Sequence, residues 1–402
     1  MIEKRVLSLS YGRIVIKPED KLHGLVPESF ETYQIVNPGD IIIRSTDLQN
    51  DWTSLRVGLV RNRGIITSAY LCLKMVGLLV PEYGYLQLHA FDLMKVFYGM
   101  GSGLRQNLDF SDFKRMPVLA PPHEEQTAIV RFLGHANRRI ERYIRAKKKL
   151  IALLNEQKQA IIHRAVTRGL DPHVRLKPSG IPWLGDIPEH WKVWPLRRCI
   201  SIQSGDFMDG AKLKNERTDS SPIPVIGGNG IMGFANQSNV SRLTIVIGRV
   251  GALCGNVHLV KEAAWITDNA LRITRIEGFD PGYLAEQLRV MNLNLLANAN
   301  AQPLVTGGII KAQRVVKPPQ PEQQSIIDEV QRLSDPVTTA ISRLERETEL
   351  LREYRTRLVA DVVTGKLDVR EVANQLPEEA AEIKAAPDAE ELSEPEPEEA
   401  EA

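Results

Sequence analysis

Apolar residues recur in alternating steps of three and four along two stretches of this chain. Between residues 121 and 171 the line runs through Ile129, Leu133, Ala136, Ile140, Tyr143, Lys147, Leu150, Leu154, Gln157 and Ile161. Between residues 318 and 368 it runs through Ile326, Val330, Leu333, Val337, Ala340, Leu344, Glu347, Leu351, Tyr354 and Leu358. A stripe sustained over four heptads predicts a long helix that packs along another. At ~1.5 Å per residue each helix would be roughly 70 Å long. Prolines and then acids open both segments, and acids suit the positive end of a helix dipole. Gly169 and Gly365 are the expected stops. Asp335-Pro336 predicts a kink or a restart in the second helix.

The two stretches are copies. Shifted by 197 positions without a gap, Pro121-Pro122 falls on Pro318-Pro319 and Glu125-Gln126 on Glu322-Gln323. Leu153-Leu154 falls on Leu350-Leu351, Val166-Thr167 on Val363-Thr364, and Leu170-Asp171 on Leu367-Asp368. A repeat this long with two copies signals a duplicated domain-plus-helix unit rather than a solenoid. Two matched seams in one chain most simply bury each other. The predicted interface is therefore Ile129, Leu133, Ile140, Leu150, Leu154 and Ile161 against Ile326, Val330, Val337, Leu344, Leu351 and Leu358.

Period-two patterns dominate the rest. In residues 1–120, VLSLSYGRIVIK is β-rich, YQIVNPGDIIIRSTD gives a turn and an apolar strand, and GIITSAYLCLKM alternates like one further strand. AFDLMKVFYGM reads as a short helix. RGLDPHVRLKPSGIP, rich in Pro, Gly and charge, is a linker. In residues 172–317, PVIGGNGIMGF, LTIVIGRVGALCGNVHLV and WITDNALRIT are strand-like, and GYLAEQLRVMNLNLLA is helical. Gly39–Arg44 echoes Leu243–Arg249, Ile66-Thr67 lies near Ile266-Thr267, and Tyr85-Leu86 near Tyr283-Leu284. The fold class is α+β: two α/β-mixed domains alternate with two long helices. The expected segments are 1–120, 121–171, 172–317, 318–374 and 375–402, the last a disordered acidic tail that cannot bury enough apolar surface to fold.

No motif carries catalysis. Gly228-Asn229-Gly230-Ile231-Met232-Gly233 matches a dinucleotide fingerprint by letters, but FANQSNVSRL follows it without a helical period, so it reads as a tight β-turn. There is no phosphate-loop motif and no HExxH, and the eight histidines are scattered. Glu156-Gln157-Lys158 recurs in nucleases but here lies on the long helix as a solvated face. Cys72, Cys199 and Cys254 are far apart, which excludes a disulfide framework and a cysteine zinc site and fits a reducing cytoplasm. No apolar run is long enough for a membrane span.

Charge supplies the first hint of a partner. Pro377–Ala402 holds eleven acids and one lysine, a charge of −10, so the net charge of +1 leaves +11 on the remaining residues. A basic body is what binding to nucleic acid requires.

Two variable α+β domains alternating with two similar helices resemble the specificity subunit of type I restriction-modification enzymes. Ile181-Pro182-Trp183-Leu184-Gly185-Asp186-Ile187-Pro188-Glu189-His190-Trp191 looks like that family's entry into a recognition domain. Pro224–Gly233 is similar to its turn, and Pro318-Pro319, Glu322-Gln323 and Val363-Thr364-Gly365 are like its helix borders. The resemblance implies two target recognition domains facing opposite ways on an antiparallel coiled coil, each reading half of a gapped double-stranded DNA site. It implies two modification subunits, which flip and methylate adenine, and restriction subunits, which translocate and cleave. The methyl donor, ATP and Mg would belong to those partners, with no cofactor, metal or catalytic residue in this chain. The setting would be cytoplasmic.

Base reading needs Arg, Asn or Gln at a groove edge. The polar loops at strand ends supply Arg44, Ser45, Thr46, Arg105, Gln106 and Asn107 in the first domain. Asn229, Asn236, Gln237, Arg249 and Gln302 are the second domain's candidates. The first domain departs from the pattern: only about forty residues precede Ile41, with no counterpart of Trp183–Trp191. The expectation is a late start, with a strand or a DNA-facing loop missing. The competing readings are an autonomous nuclease or methyltransferase, a coiled-coil scaffold, and a truncated, non-functional remnant of a specificity subunit.

Overall fold

A computed structural model describes residues 5–18, 32–46, 48, 55–100, 107–297 and 303–377. Residues 378–402 of the expected tail lie outside them, while Gln375, its first residue, is helical. The elements in the first part of the chain are β1 (Leu7–Ser10), β2 (Arg13–Ile16), β3 (Gln34–Val36), β4 (Ile41–Ile43), β5 (Val57–Leu59), β6 (Gly64–Ile66), β7 (Leu71–Leu73), α1 (Pro81–Leu93), α2 (Phe110–Phe113) and α3 (His123–Arg168). Then come β8 (Leu176–Pro178), β9 (Asp186–Pro188), β10 (Lys192–Pro195), β11 (Ile200–Ser204), β12 (Ile223–Gly227), β13 (Gly230–Ala235), β14 (Thr244–Gly248), β15 (Val257–Val260), β16 (Trp265–Ile266) and β17 (Ala270–Ile276). The chain closes with α4 (Pro281–Val290), α5 (Gly307–Ala312), β18 (Arg314–Lys317), α6 (Gln320–Val363) and α7 (Arg370–Gln375).

Contacts divide the chain into two compact units, residues 1–145 with 348–402, and residues 146–347. The long helices α3 and α6 each contribute to both, so the units do not follow the five segments expected from sequence.

The first unit is built around β4. Its three isoleucines are all buried because the strand has a core on each face. Ile41 and Ile43 join Leu48, Val57, Leu88, Phe97 and Phe113 on one side. Ile42 joins Leu7, Val36, Val60 and Ile66 on the other. The sheet runs β5-β4-β7, flanked by the pairs β1-β2 and β3-β6. The stretch 64–75, expected as one strand, is two: β6 and β7 pair with different partners and are separated by the turn at Thr67–Tyr70. The helix expected at 90–100 begins earlier, at Pro81, and gives way to a 3-10 turn over Val96–Gly99. Pro at the first helical position needs no hydrogen-bond acceptor, which favours the earlier start.

The second unit repeats the plan. β14 sends Ile245 and Ile247 into a core with Trp191, Tyr283, Leu284 and Leu288, and Val246 into another with Ile226, Ala264 and Ile266. Its sheet is β11-β17-β14-β15, with β13-β12-β16 beside it and the pairs β10-β18 and β8-β9. Trp191 is fully buried, and its indole N–H donates to Glu322 Oε1 at 2.9 Å. His190 Nε2 meets the other oxygen of that carboxylate at 2.8 Å.

The long helices begin and end where the sequence indicates. Both stops carry a left-handed glycine, Gly169 at φ +74° and Gly365 at φ +76°. α6 runs through Pro336 without a restart. Only one backbone bond is lost there, and the Thr338 and Thr339 hydroxyls bond back to Ser334 and Asp335 carbonyls across the same turn.

The buried stripe also departs from expectation at every second step. The seven-residue series through Leu133, Ile140, Lys147, Leu154 and Ile161, and through Val330, Val337, Leu344, Leu351 and Leu358, is buried or half-buried. The intervening positions lie four residues on, not three. Ile144, Ile151 and Lys158 are covered on α3, while Tyr143 and Leu150 are exposed. Ser334, Ile341, Thr348 and Arg355 are covered on α6, while Leu333 and Tyr354 are exposed. Of the predicted interface residues, Leu150 is therefore the one that faces solvent. Polar groups hold much of the covered line: Lys147 pairs with Glu347, and Lys158 Nζ donates to Thr338 Oγ1 at 2.9 Å.

Candidate nucleic-acid interface

Among the described candidates, Arg44, Ser45 and Thr46 follow β4, Asn229 joins β12 to β13, Asn236 and Gln237 follow β13, and Arg249 follows β14. In the first unit, Arg44, Ser45 and Thr46 leave β4. Arg44 and Thr46 are half-buried. Ser45 is buried, its hydroxyl 3.4 Å from the Ala69 carbonyl and its own carbonyl accepting from Leu108 N–H at 2.8 Å. That side chain faces the core, which removes it from the surface expected for it.

Arg56, not anticipated from sequence, fixes this loop from beneath. It is fully buried and donates from Nη1 to the carbonyls of Thr46 at 2.7 Å and Arg44 at 3.3 Å. Its Nε donates to Tyr98 Oη at 3.1 Å. Asp92 Oδ2 accepts the Arg56 backbone N–H at 2.6 Å, and burial pushes the Asp92 carboxyl above its ordinary range. Nothing in the sequence marks Arg56, because an arginine after a polar stretch is usually solvated. Asn107 is exposed, and Arg105 and Gln106 lie outside the described residues.

In the second unit, Asn229 occupies the tip of the hairpin joining β12 to β13, and Gly230 takes φ +109° there. The GxGxxG letters thus form a β-turn, as expected. Glycine is required beside it for a second reason. A Cβ on Gly248 would stand 2.3 Å from the Gly228 carbonyl oxygen. This close approach brings the β14 end, with Arg249, against the hairpin tip. Asn229 Oδ1 accepts from Asn256 Nδ2 at 3.1 Å, and Arg249 Nη1 lies 3.5 Å from Ser204 Oγ. Two polar pairs, Asn229 with Asn256 and Arg249 with Ser204, thus stand on either side of that close backbone approach.

Asn236 and Gln237 are exposed but belong elsewhere. Gly227 pairs with Gly230 at the hairpin tip, while Ile223 pairs with Ala235 at the other end, next to Asn236. Gln302 lies outside the described residues. A second polar group joins Asp206, Asn239 and Arg272: Asn239 Nδ2 donates to Asp206 Oδ2 at 2.7 Å, and Arg272 Nη2 stands 3.2 Å from the same oxygen. Sequence reasoning missed it because its members are scattered over 67 positions.

The first unit's counterpart of the hairpin tip is Tyr11-Gly12, with Tyr11 exposed and at φ +48°. Arg13 beside it pairs with Glu141 of α3. No letters are shared with Gly228-Asn229, so only the pairing pattern finds it. Among the described residues no helix is long and apolar enough to cross a membrane.

No family model matches the chain. It is 28% identical over 151 residues to the type I restriction enzyme EcoprrI specificity subunit of Escherichia coli, covering 38% of this chain and 37% of that protein. It is 26% identical over 171 residues to the MjaVIII specificity subunit of Methanocaldococcus jannaschii, covering 42% and 38%. The matched stretches thus span less than two-fifths of either relative. A chain from a solved structure of a type I R-M system shares the fold at TM-score 0.59 and 14% identity, over 87% of this chain and 90% of that one.

Proposed function

We propose that this chain, similar in sequence and in fold to type I specificity subunits, is the DNA sequence-recognition subunit of a type I restriction-modification complex. Each domain reads one half of a gapped double-stranded site. The observation that carries this reading is the duplication itself: two domains of one plan with different loop chemistry, each joined to a copy of the same long helix. Two unlike readers on like supports are suited to an asymmetric two-part site. In the first domain Arg44, Thr46 and Asn107 are the base-reading candidates, and in the second Asn229 and Arg249. Arg binds guanine and Asn binds adenine through paired hydrogen bonds in the major groove.

The helices are read as an antiparallel coiled coil whose length sets the gap. Support comes from inside each unit. Leu133 and Ile140 share a core with Leu358 and Val362, and Ile162 and Val166 share one with Ile326 and Val330. Two modification subunits and the restriction subunits are the proposed partners, in a cytoplasmic complex. They would bring methyl donor, ATP and Mg, leaving this chain a non-catalytic part of the assembly.

The test is a methylation map. The chain is expressed with its neighbouring modification subunit in a methylation-free host, and modified adenines are read across the genome. A gapped two-part motif is expected. Complex formation with no new methylation would mean a non-functional remnant, and failure to form a complex would remove the assignment.

A further inference from the structure

The polar group of Asp206, Asn239 and Arg272 fixes the chain one residue before Phe207, an aromatic that is 75% exposed. β11 ends at Ser204, and the next two residues stay bonded to the chain around β16 and β17. Gly205 N–H donates to the Ala270 carbonyl at 2.9 Å, and Asp206 N–H to the Ile266 carbonyl at 3.0 Å. Only glycine fits at 205, because a Cβ there would stand 2.1 Å from the Thr267 carbonyl oxygen. The Asp206 carbonyl accepts from Trp265 Nε1 at 3.2 Å. Its carboxylate takes Asn239 and Arg272, and Arg272 Nη1 also donates to the Asn239 carbonyl at 3.1 Å. Asn239 Oδ1 in turn accepts Ile266 N–H at 2.7 Å. Two residues beyond Phe207 the chain is fixed again. Asp209 Oδ1 accepts Ala211 N–H, and the Asp209 carbonyl accepts Lys212 N–H, both at 3.0 Å.

Phe207 therefore projects from a backbone held on both sides. A lone exposed aromatic is common on protein surfaces and has no consequence for folding. What sets this one apart is the number of hydrogen bonds that fix the backbone around it. A contact residue gains from such anchorage, because an ordered loop loses less freedom on binding. Its surroundings point the same way. Ser204, three residues before Phe207, has its hydroxyl 3.5 Å from Arg249 Nη1. Lys212 and Lys214, exposed on the same segment, add the positive charge that suits phosphates.

We propose that Phe207 is a specificity residue of the second domain, contacting the 5-methyl group of a thymine close to the base read by Arg249, and that Asp206, Asn239 and Arg272 are its positioning residues. The inference rests on the proposed DNA-reading function and adds to it the apolar half of the readout. Arg249 and Asn229 can recognise hydrogen-bonding edges, but neither recognises a methyl group. In the major groove thymine alone among the four bases presents one, and an apolar side chain such as phenylalanine distinguishes it by covering it. The positioning residues act through the backbone: they hold residue 206 against β16, so that the ring of residue 207 meets the groove at one depth.

The test uses the complex of the full chain with its modification subunit and a duplex carrying the mapped site. Thymines across the site are replaced one at a time by deoxyuridine, which pairs alike but lacks the methyl group. At one position the replacement should weaken binding about fourfold, the worth of one buried methyl. Phe207→Ala, a change at an exposed position that leaves the cores intact, should abolish the dependence at that thymine and leave any other unchanged. Asp206→Ala should shrink the same dependence while keeping the base preference that Arg249 supplies, a split that loss of folding would not produce. The proposal is overturned if no thymine shows a dependence that Phe207→Ala removes. Equal weakening of thymine and deoxyuridine duplexes by Phe207→Ala marks stacking or folding instead and likewise overturns it. A complex that binds no gapped site removes the recognition function itself, and this inference with it.

Discussion

Gln126 and Gln323, 197 positions apart, make the same three hydrogen bonds. Gln126 Oε1 accepts Val80 N–H at 2.9 Å, and its Nε2 donates to the carbonyls of Leu78 and Pro121 at 2.7 and 2.8 Å. Gln323 Oε1 accepts Asp280 N–H at 2.7 Å, and its Nε2 donates to Gly278 and Pro318 at 3.4 and 3.0 Å. Each fully buried amide ties the start of a long helix to the chain entering a domain helix. A side chain with both donor and acceptor suits this place, because it satisfies one N–H and two carbonyls at once.

Removing either clamp should destabilise its own unit. Gln126→Ala or Gln323→Ala removes three hydrogen bonds made by a buried amide and is expected to cost about 1–3 kcal/mol. Urea denaturation followed by segment-resolved hydrogen exchange checks it. Loss of protection near Val80 in the first variant, and near Asp280 in the second, is the expected pattern. Equal loss in both units from one substitution would refute it.

The helix register predicts an asymmetry between neighbouring leucine and isoleucine positions. Ile341 is buried and Ile341→Ala should cost about 2–3 kcal/mol. Leu150 and Leu350 are exposed, and alanine at either should change stability by less than about 0.5 kcal/mol. Chemical denaturation of the three variants decides between this register and one that places Leu150 in the seam.

His89 gives the first unit an acid-sensitive element. Burial, and then the positive charge of Arg355, lowers its imidazole from 6.5 to about 4. Its Nδ1 is buried without a partner, and its ring stacks on Tyr85 at 5.5 Å. Between those two pH values the unfolded chain binds the proton that the folded chain refuses. Stability from this group is therefore intact above pH 6.5 and falls as pH drops towards 4, by up to about 3 kcal/mol. Urea midpoints between pH 7 and 5 should fall less steeply for His89→Gln than for the parent chain. Parallel slopes would show that His89 does not titrate this way.

Under the proposed function, the two domains should fail separately. Arg249→Ala or Asn229→Ala should relax bases in one half of the methylated motif and cost about 1–3 kcal/mol of discrimination at the positions read. Asn107→Ala should affect only the other half. Genome-wide methylation of each variant tests this, and uniform loss across both halves would assign these residues to phosphate or folding roles instead.

The sequence determined the repeat, the ends of both long helices, the hairpin at Gly228-Asn229 and the two-sided strand around Ile42. These follow from local rules: periodicity, left-handed glycines, and apolar runs that need a core on each face. Tertiary structure decided what depends on neighbours distant in the chain. It placed the covered seam on Ser334, Thr348 and Lys158 instead of Leu333 and Leu150, because a helix position is buried by what packs against it and not by its own hydrophobicity. It buried Arg56 and Ser45 beneath the loop that sequence had offered whole as a reading surface. It brought the hairpin tip of Asn229 against the Arg249 end of β14 and set Asn236 apart, because strand pairing, not sequence distance, determines which loops share one end of a sheet.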